Sequence, residues 1–251
     1  MNNQSTIATD KVKNEINQPS IQVGISACLV GNEVRYNGGH TQSRLCLDLL
    51  SQCFKFTSFC PEVEAGFGIP RPTMRLTGDP TSPQLVFSND STSDLTAQLV
   101  KGFEKKLPEM GHLDGYILMK NSPSCGLERV KVYQPNGHPH QIRTAGVFAK
   151  ALKEQYPLMP IEEEGRLHDD KLFDNFVLRV YAYSNFRKEV LEQPSLHKLM
   201  VFHSRYKYLL MAHNQDKCRT LGRLLGANKN ESLEELTHTY FSSFIEALSK
   251  P

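Results

Sequence analysis

The chain has 251 residues, of which 39% are hydrophobic and 22% charged, with a formal net charge of +2 and six cysteines. That length is enough to bury one large core or two smaller ones, and the composition is that of an ordinary soluble globular protein. No run approaches the roughly 18 apolar residues of a membrane span, and the polar opening "MNNQSTIATDKVKNEINQPS" has no apolar core like that of a secretory signal. Neither a membrane span nor export is therefore expected, and a cytoplasmic location with a disordered leader over 1–20 is predicted.

From residue 21 to about 160, short apolar runs alternate with helical patterns. "IQVGISAC" (21–28) predicts a strand, and "TQSRLCLDLLSQC" (41–53) a helix with Leu45, Cys46, Leu49, Leu50 and Cys53 on one face. "FKFTSFC" (54–60) is aromatic and β-prone. A loop rich in Pro and Gly, "PEVEAGFGIPRPTMRLTGDPTSP", is predicted to follow it. Leu95, Leu99, Val100 and Phe103 repeat at helical spacing within 91–110, "LDGYILMK" (113–120) suits a central strand, "RVKVYQP" a further strand, and "TAGVFAKALKEQYP" a closing helix. Such alternation predicts an α/β domain over 21–160, with a mostly parallel open sheet flanked by helices.

After Pro160 an acidic connector leads into patterns with helical periodicity only, so a smaller all-α domain is predicted over 168–251. Between residues 176 and 229 stand ten Lys or Arg against three acids, with Tyr181, Tyr183, Tyr206 and Tyr208 among them. The plainer reading of this surplus is a solvated helix surface. Cations interleaved with aromatic rings also suit phosphates and unstacked bases.

Three cysteines share one situation: Cys28, Cys60 and Cys125 each follow a predicted strand. In an open parallel sheet the carboxyl ends of the strands lie on one edge, where ligands bind, so the three thiols can meet although they are far apart in sequence. In a reducing compartment they are read as ligands or buried thiols rather than disulfides. Thiolates select zinc, copper(I) or iron-sulfur clusters. A closed zinc site normally contains a short CxxC pair, and none is present. Three cysteines would leave one iron of a 4Fe-4S cluster open as a Lewis acid. Cys46, Cys53 and Cys218 lie within helical patterns and are read as packing residues, and His40 and His138 as loop residues.

"CPEVEAG" sets Glu62 and Glu64 at alternate positions after Cys60, on the same side as the thiol if the loop is extended. Ser122 precedes Cys125 by three residues and is a candidate for orienting water or substrate. Arg35, Tyr36, Arg71 and Arg75 offer cations and a ring for a phosphate or a base on the same edge.

"SACLVGNEVRYNGG", "CPEVEAGFGIPRP", "NSPSCG" and "GVFAKAL" occur in the order and spacing of the thiouracil and thiouridine desulfidases, which the chain resembles over about 21–155. The resemblance implies a 4Fe-4S cluster on Cys28, Cys60 and Cys125, with Glu62 and Ser122 as the catalytic pair. "LMVFHSRYKYLLMAHNQ" and "LGRLL" resemble the helical domain fused to this module in the tRNA-acting branch, here expected to be shortened. The function so implied is hydrolytic removal of sulfur from 4-thiouridine in tRNA. A desulfidase of free thiouracil-type bases and a non-catalytic metal-sensing RNA-binding protein are the alternatives.

Overall fold

The computed structural model describes residues 21–227 and 232–250, so the predicted leader lies outside the described residues. Four parallel strands form sheet A in the order β2 (Lys55–Phe59), β1 (Gln22–Ser26), β5 (Gly115–Leu118), β8 (Ile161–Glu163). Position follows composition here. In β1, Val23 and Ile25 are wholly buried, and all four residues of β5 are buried, as continuous apolar strands covered on both faces must be.

The strands between them do not extend this sheet. β3 (Met74–Thr77), β4 (Gln84–Phe87), β6 (Val130–Tyr133) and β7 (Pro139–Thr144) make a second sheet, B, in the order β4-β3-β6-β7. Two antiparallel hairpins are joined there through the parallel pair β3 and β6. The segment expected to be loop therefore contains β3 and, directly after Cys60, the single-turn helix α1 (Pro61–Glu64). Flanking Pro and Gly hid the four-residue strand, and β7, whose residues are mostly exposed, shows no apolar alternation.

Helices α2 (Thr96–Phe103) and α3 (Val147–Gln155) pack into the main core. Leu99, Phe103, Phe148 and Leu152 meet Tyr116 and Leu118 of sheet A and Leu76, Leu85 and Val132 of sheet B. The opposite face of sheet A buries Val23, Ile25 and Ile117 against Leu29, Cys46, Leu50 and Phe54. The helix expected over 41–53 is two irregular turns, 45–49 wound wide and 50–52 wound tight. This change of pitch buries Cys46 and Leu50 but turns Leu49 outward, 53% exposed.

The acidic connector is β8. Its Glu162 and Glu163 are buried rather than solvated, because Arg166 Nε donates to Glu162 Oε1 (2.8 Å) and the Leu127 amide to Glu163 Oε1 (2.7 Å). Helix α4 (Asp170–Phe186) follows, capped by Asp169, whose carboxylate accepts from the amides of Lys171 and Leu172. Its first half sets Phe176 and Val180 against sheet A, and its second half sets Ala182 and Phe186 into a separate helical core. There α5 (Leu196–His213), α6 (Gln215–Ala227) and α7 (Leu233–Ala247) close around stacked rings, with Phe186 and Phe241 3.8 Å apart and near parallel. One helix thus joins the two cores. Among the described residues no helix is long and apolar enough to cross a membrane.

Candidate active site

The adjacent parallel strands β2, β1 and β5 end along one edge of sheet A, and the chain departs to opposite sides on either flank of β1, the arrangement that opens a ligand crevice. Cys60 directly follows β2, Cys28 lies in the turn after β1, and Cys125 lies in the loop after β5. All three thiols line one cavity of about 380 Å³. Glu62, Ser122, Arg35, Tyr36 and Arg71 line it too, whereas Arg75 faces a neighbouring groove.

The loop carrying Cys125 is held from several directions. Asn121 adopts a left-handed conformation (φ 58°), and the Ser122 hydroxyl oxygen accepts from the amides of Ser124 (3.2 Å) and Cys125 (3.1 Å). The first turn of α3 donates to the same loop, from Val147 to the Pro123 carbonyl and from Phe148 and Ala149 to that of Ser124. Gly146 permits this contact, since a Cβ there would stand 2.5 Å from the Ser124 carbonyl carbon. Gly146→Ala is therefore expected to cost about 1–3 kcal/mol, as overpacking does, and to displace Cys125. Thermal melting reads the first effect and metal uptake by the folded variant the second.

After Cys60 the chain turns helically instead of remaining extended. Cys60, with an extended backbone, is the N-cap residue of α1, and its thiol makes no capping hydrogen bond. Glu62 and Glu64 consequently do not share a face: Glu62 lines the cavity and Glu64 is exposed. Arg71, expected to meet substrate, is buried and committed elsewhere. Its guanidinium pairs with Glu62 Oε2 and donates to the carbonyls of Gly68 (2.9 Å) and Val34 (3.0 Å). The other carboxylate oxygen, Oε1, accepts from the Ser124 hydroxyl at 2.8 Å. Ser124, fully buried, is thus the serine that touches Glu62, while Ser122 holds the turn. At the exposed side, Arg35 donates to Thr41 Oγ1 and lies 5.7 Å from the centre of the Tyr36 ring, with Lys120 also on the wall.

Burial raises the thiols: Cys28 to about 11, with Cys60 beside it adding to the effect, Cys60 upward, and Cys125 well above the usual thiol range. As free thiols they keep their protons at neutral pH, and binding a metal group as thiolates would release those protons. Tyr116, missed in a strand that reads as plain apolar core, adds a second sign. Its buried hydroxyl has no hydrogen-bond partner among the described residues, and burial, with the three cysteines adding to it, pushes it well above the usual phenol range. Among the described residues no three His, Cys, Asp or Glu side chains form a ready site for a single metal ion. Three thiols lining one cavity are soft donors of the kind an iron-sulfur cluster takes.

These features define an α/β protein with a thiol-lined ligand site at the carboxyl edge of its parallel sheet. A model of the family described as 2-thiouracil desulfurase matches residues 23–164, more than half of the chain, which therefore belongs to that desulfidase family. A model described as a protein of unknown function, DUF1722, matches residues 207–251. The chain is 32% identical over 136 residues to the uncharacterised protein YbbK of Bacillus subtilis strain 168, covering 52% of this chain and 88% of that one. A solved structure of a 4Fe-4S-dependent thiouracil desulfidase, TudS, is 28% identical, covers 61% of this chain and 97% of its own, and superposes with a TM-score of 0.47.

Proposed function

We propose that this desulfidase removes sulfur from 4-thiouridine in tRNA by hydrolysis, with a 4Fe-4S cluster held by Cys28, Cys60 and Cys125. The observation that carries the cluster is the meeting, in one cavity, of three thiols from three strand ends, Cys28 and Cys125 buried and Cys60 half-buried. When bound, such a cluster supplies an iron without a protein ligand, a Lewis acid suited to a thiocarbonyl sulfur.

The side chains account for the rest. A base entering past Arg35 and Tyr36 can lie against the Tyr36 ring with its thiocarbonyl directed inward. Glu62, held at one oxygen by Arg71 and at the other by Ser124, has its carboxylate fixed at the cavity wall. It takes a proton from the attacking water at the thiocarbonyl carbon. The carbon-oxygen bond forms, the carbon-sulfur bond breaks, and Glu62 passes the proton it took to the departing sulfide, which thus receives both protons of water. Water and thiocarbonyl give carbonyl and hydrogen sulfide, with no external reductant. Ser122 acts by fixing the turn that presents Cys125.

tRNA as the substrate rests on the fusion of this module to a helical unit with a basic surplus. The test is sulfide release by anaerobically reconstituted protein from bulk tRNA and from free 4-thiouracil. Loss of 4-thiouridine from tRNA is expected. Release from the free base alone would move the assignment to free thiobases, and the absence of iron and sulfide after reconstitution would overturn the enzyme.

A further inference from the structure

Sheet B has two different faces. Leu76, Leu85, Val130 and Val132 turn one into the core, so the intervening residues of the same strands face outward. The outward set is cationic across three adjacent strands. Arg75 is on β3, Lys131 on β6, and Arg143 directly opposite Lys131 on β7. Arg75 and Lys131 border a groove of about 430 Å³ that Arg129 and Tyr133 also line, and no carboxylate lines it among the described residues.

Two observations indicate that these cations await an anion. Lys131 and Arg143 are cross-strand partners, a like-charge pairing that destabilises an antiparallel ladder unless something neutralises it. Arg75 has its guanidinium 5.4 Å from the centre of the Tyr133 ring, and its buried Nε has no hydrogen-bond partner among the described residues. The groove is also next to the active cavity, since Met74, Asn121 and Pro123 line both.

We propose that this groove binds the phosphodiester backbone flanking the thiolated nucleotide, so that sheet B, and not only the basic helices, grips RNA. The proposal rests on the desulfidase reading for what enters the cavity. A base drawn past the Asn121 to Pro123 loop leaves its neighbouring phosphates over Arg75, Arg129 and Lys131, and Tyr133 offers a ring to an adjacent unstacked base. The ligand class is single-stranded RNA, recognised by its charge and stacking without reading of sequence.

Binding of a fluorescently labelled, unmodified RNA pentamer to the full chain tests the groove without requiring turnover. Lys131→Glu places an opposite charge across from Arg143, so it is expected to leave the melting temperature unchanged or raise it. It should weaken RNA binding by about 10-fold or more, and Arg129→Gln with Lys131→Gln should make the salt dependence shallower by about 1.4 in log-log slope, roughly 0.7 for each phosphate no longer neutralised. The ratio of kcat/KM for a thiouridine-bearing pentamer over that for the free thiobase should fall in parallel. Equal affinity and equal slope in the variants, or no binding by the parent chain, would overturn the groove. If the pentamer binds through these residues yet releases no sulfide while the free base does, the groove stands and the tRNA reading falls.

Discussion

Replacing Cys125 by alanine is expected to leave a folded protein that takes up almost no iron or sulfide on anaerobic reconstitution and loses desulfidase activity by at least about 100-fold, the upper end of the losses seen when even outer partners of a metal site are removed. Cys125 is buried in the main core, so the substitution deletes a sulfur and leaves a small void, at a cost on the order of 1 kcal/mol. A melt near that of the parent chain therefore separates ligand loss from unfolding. Cys46→Ala is the matching control. Cys46 is as deeply buried, on the other face of sheet A, and outside the cavity lining, so iron uptake is expected to survive there. Full iron content in the Cys125 variant would show that two thiols suffice and would remove the three-cysteine assignment.

The three thiols were legible because strand ends are legible. "VGISAC", "FKFTSFC" and "YILMKNSPSC" each join an apolar run to a cysteine, and parallel pairing brings such ends to one edge. What sequence could not supply was the conformation between those points. The spacing of Glu62 and Glu64 reads the same whether the loop is extended or helical, and only the turn of α1 decides that Glu64 leaves the site. Arg71 and Arg75 read alike, four residues apart, yet one is sealed against Glu62 and the other stands in the sheet B groove. Sheet B itself escaped because its strands are short and its outer face is charged, so neither an alternating nor a continuous apolar signal is strong.

Buried polar groups were harder still. "IEEEGR" reads as solvated, and the partners that allow Glu162 and Glu163 to be buried, Arg166 and the Leu127 amide, are visible only once β8 is docked beside β5. Tyr116 shows the same limit. Its ring occupies the space left by Gly24, where a Cβ would collide with it, so a glycine in β1 that appears to weaken a strand makes room for the hydroxyl among the thiols.

Glu62→Gln should retain iron and sulfide at parental levels and lower kcat by about 10² to 10⁴, the range that a positioned proton acceptor contributes. The amide preserves the shape of the carboxylate and can still meet Arg71 with its oxygen and Ser124 with its nitrogen. What it removes is the negative charge and the capacity to take a proton from water. Arg71, 3% exposed at its side chain, then loses the carboxylate it faces, so a stability cost is expected as well. Melting and turnover are therefore read together. Glu62→Asp restores the charge to Arg71 but withdraws it from the cavity by one methylene, so a stable Asp variant with low kcat points to proton transfer, whereas recovery of both would point to positioning alone. Parental turnover in Glu62→Gln would remove Glu62 from the chemistry and leave its pairing with Arg71 as a structural strut beneath Ser124.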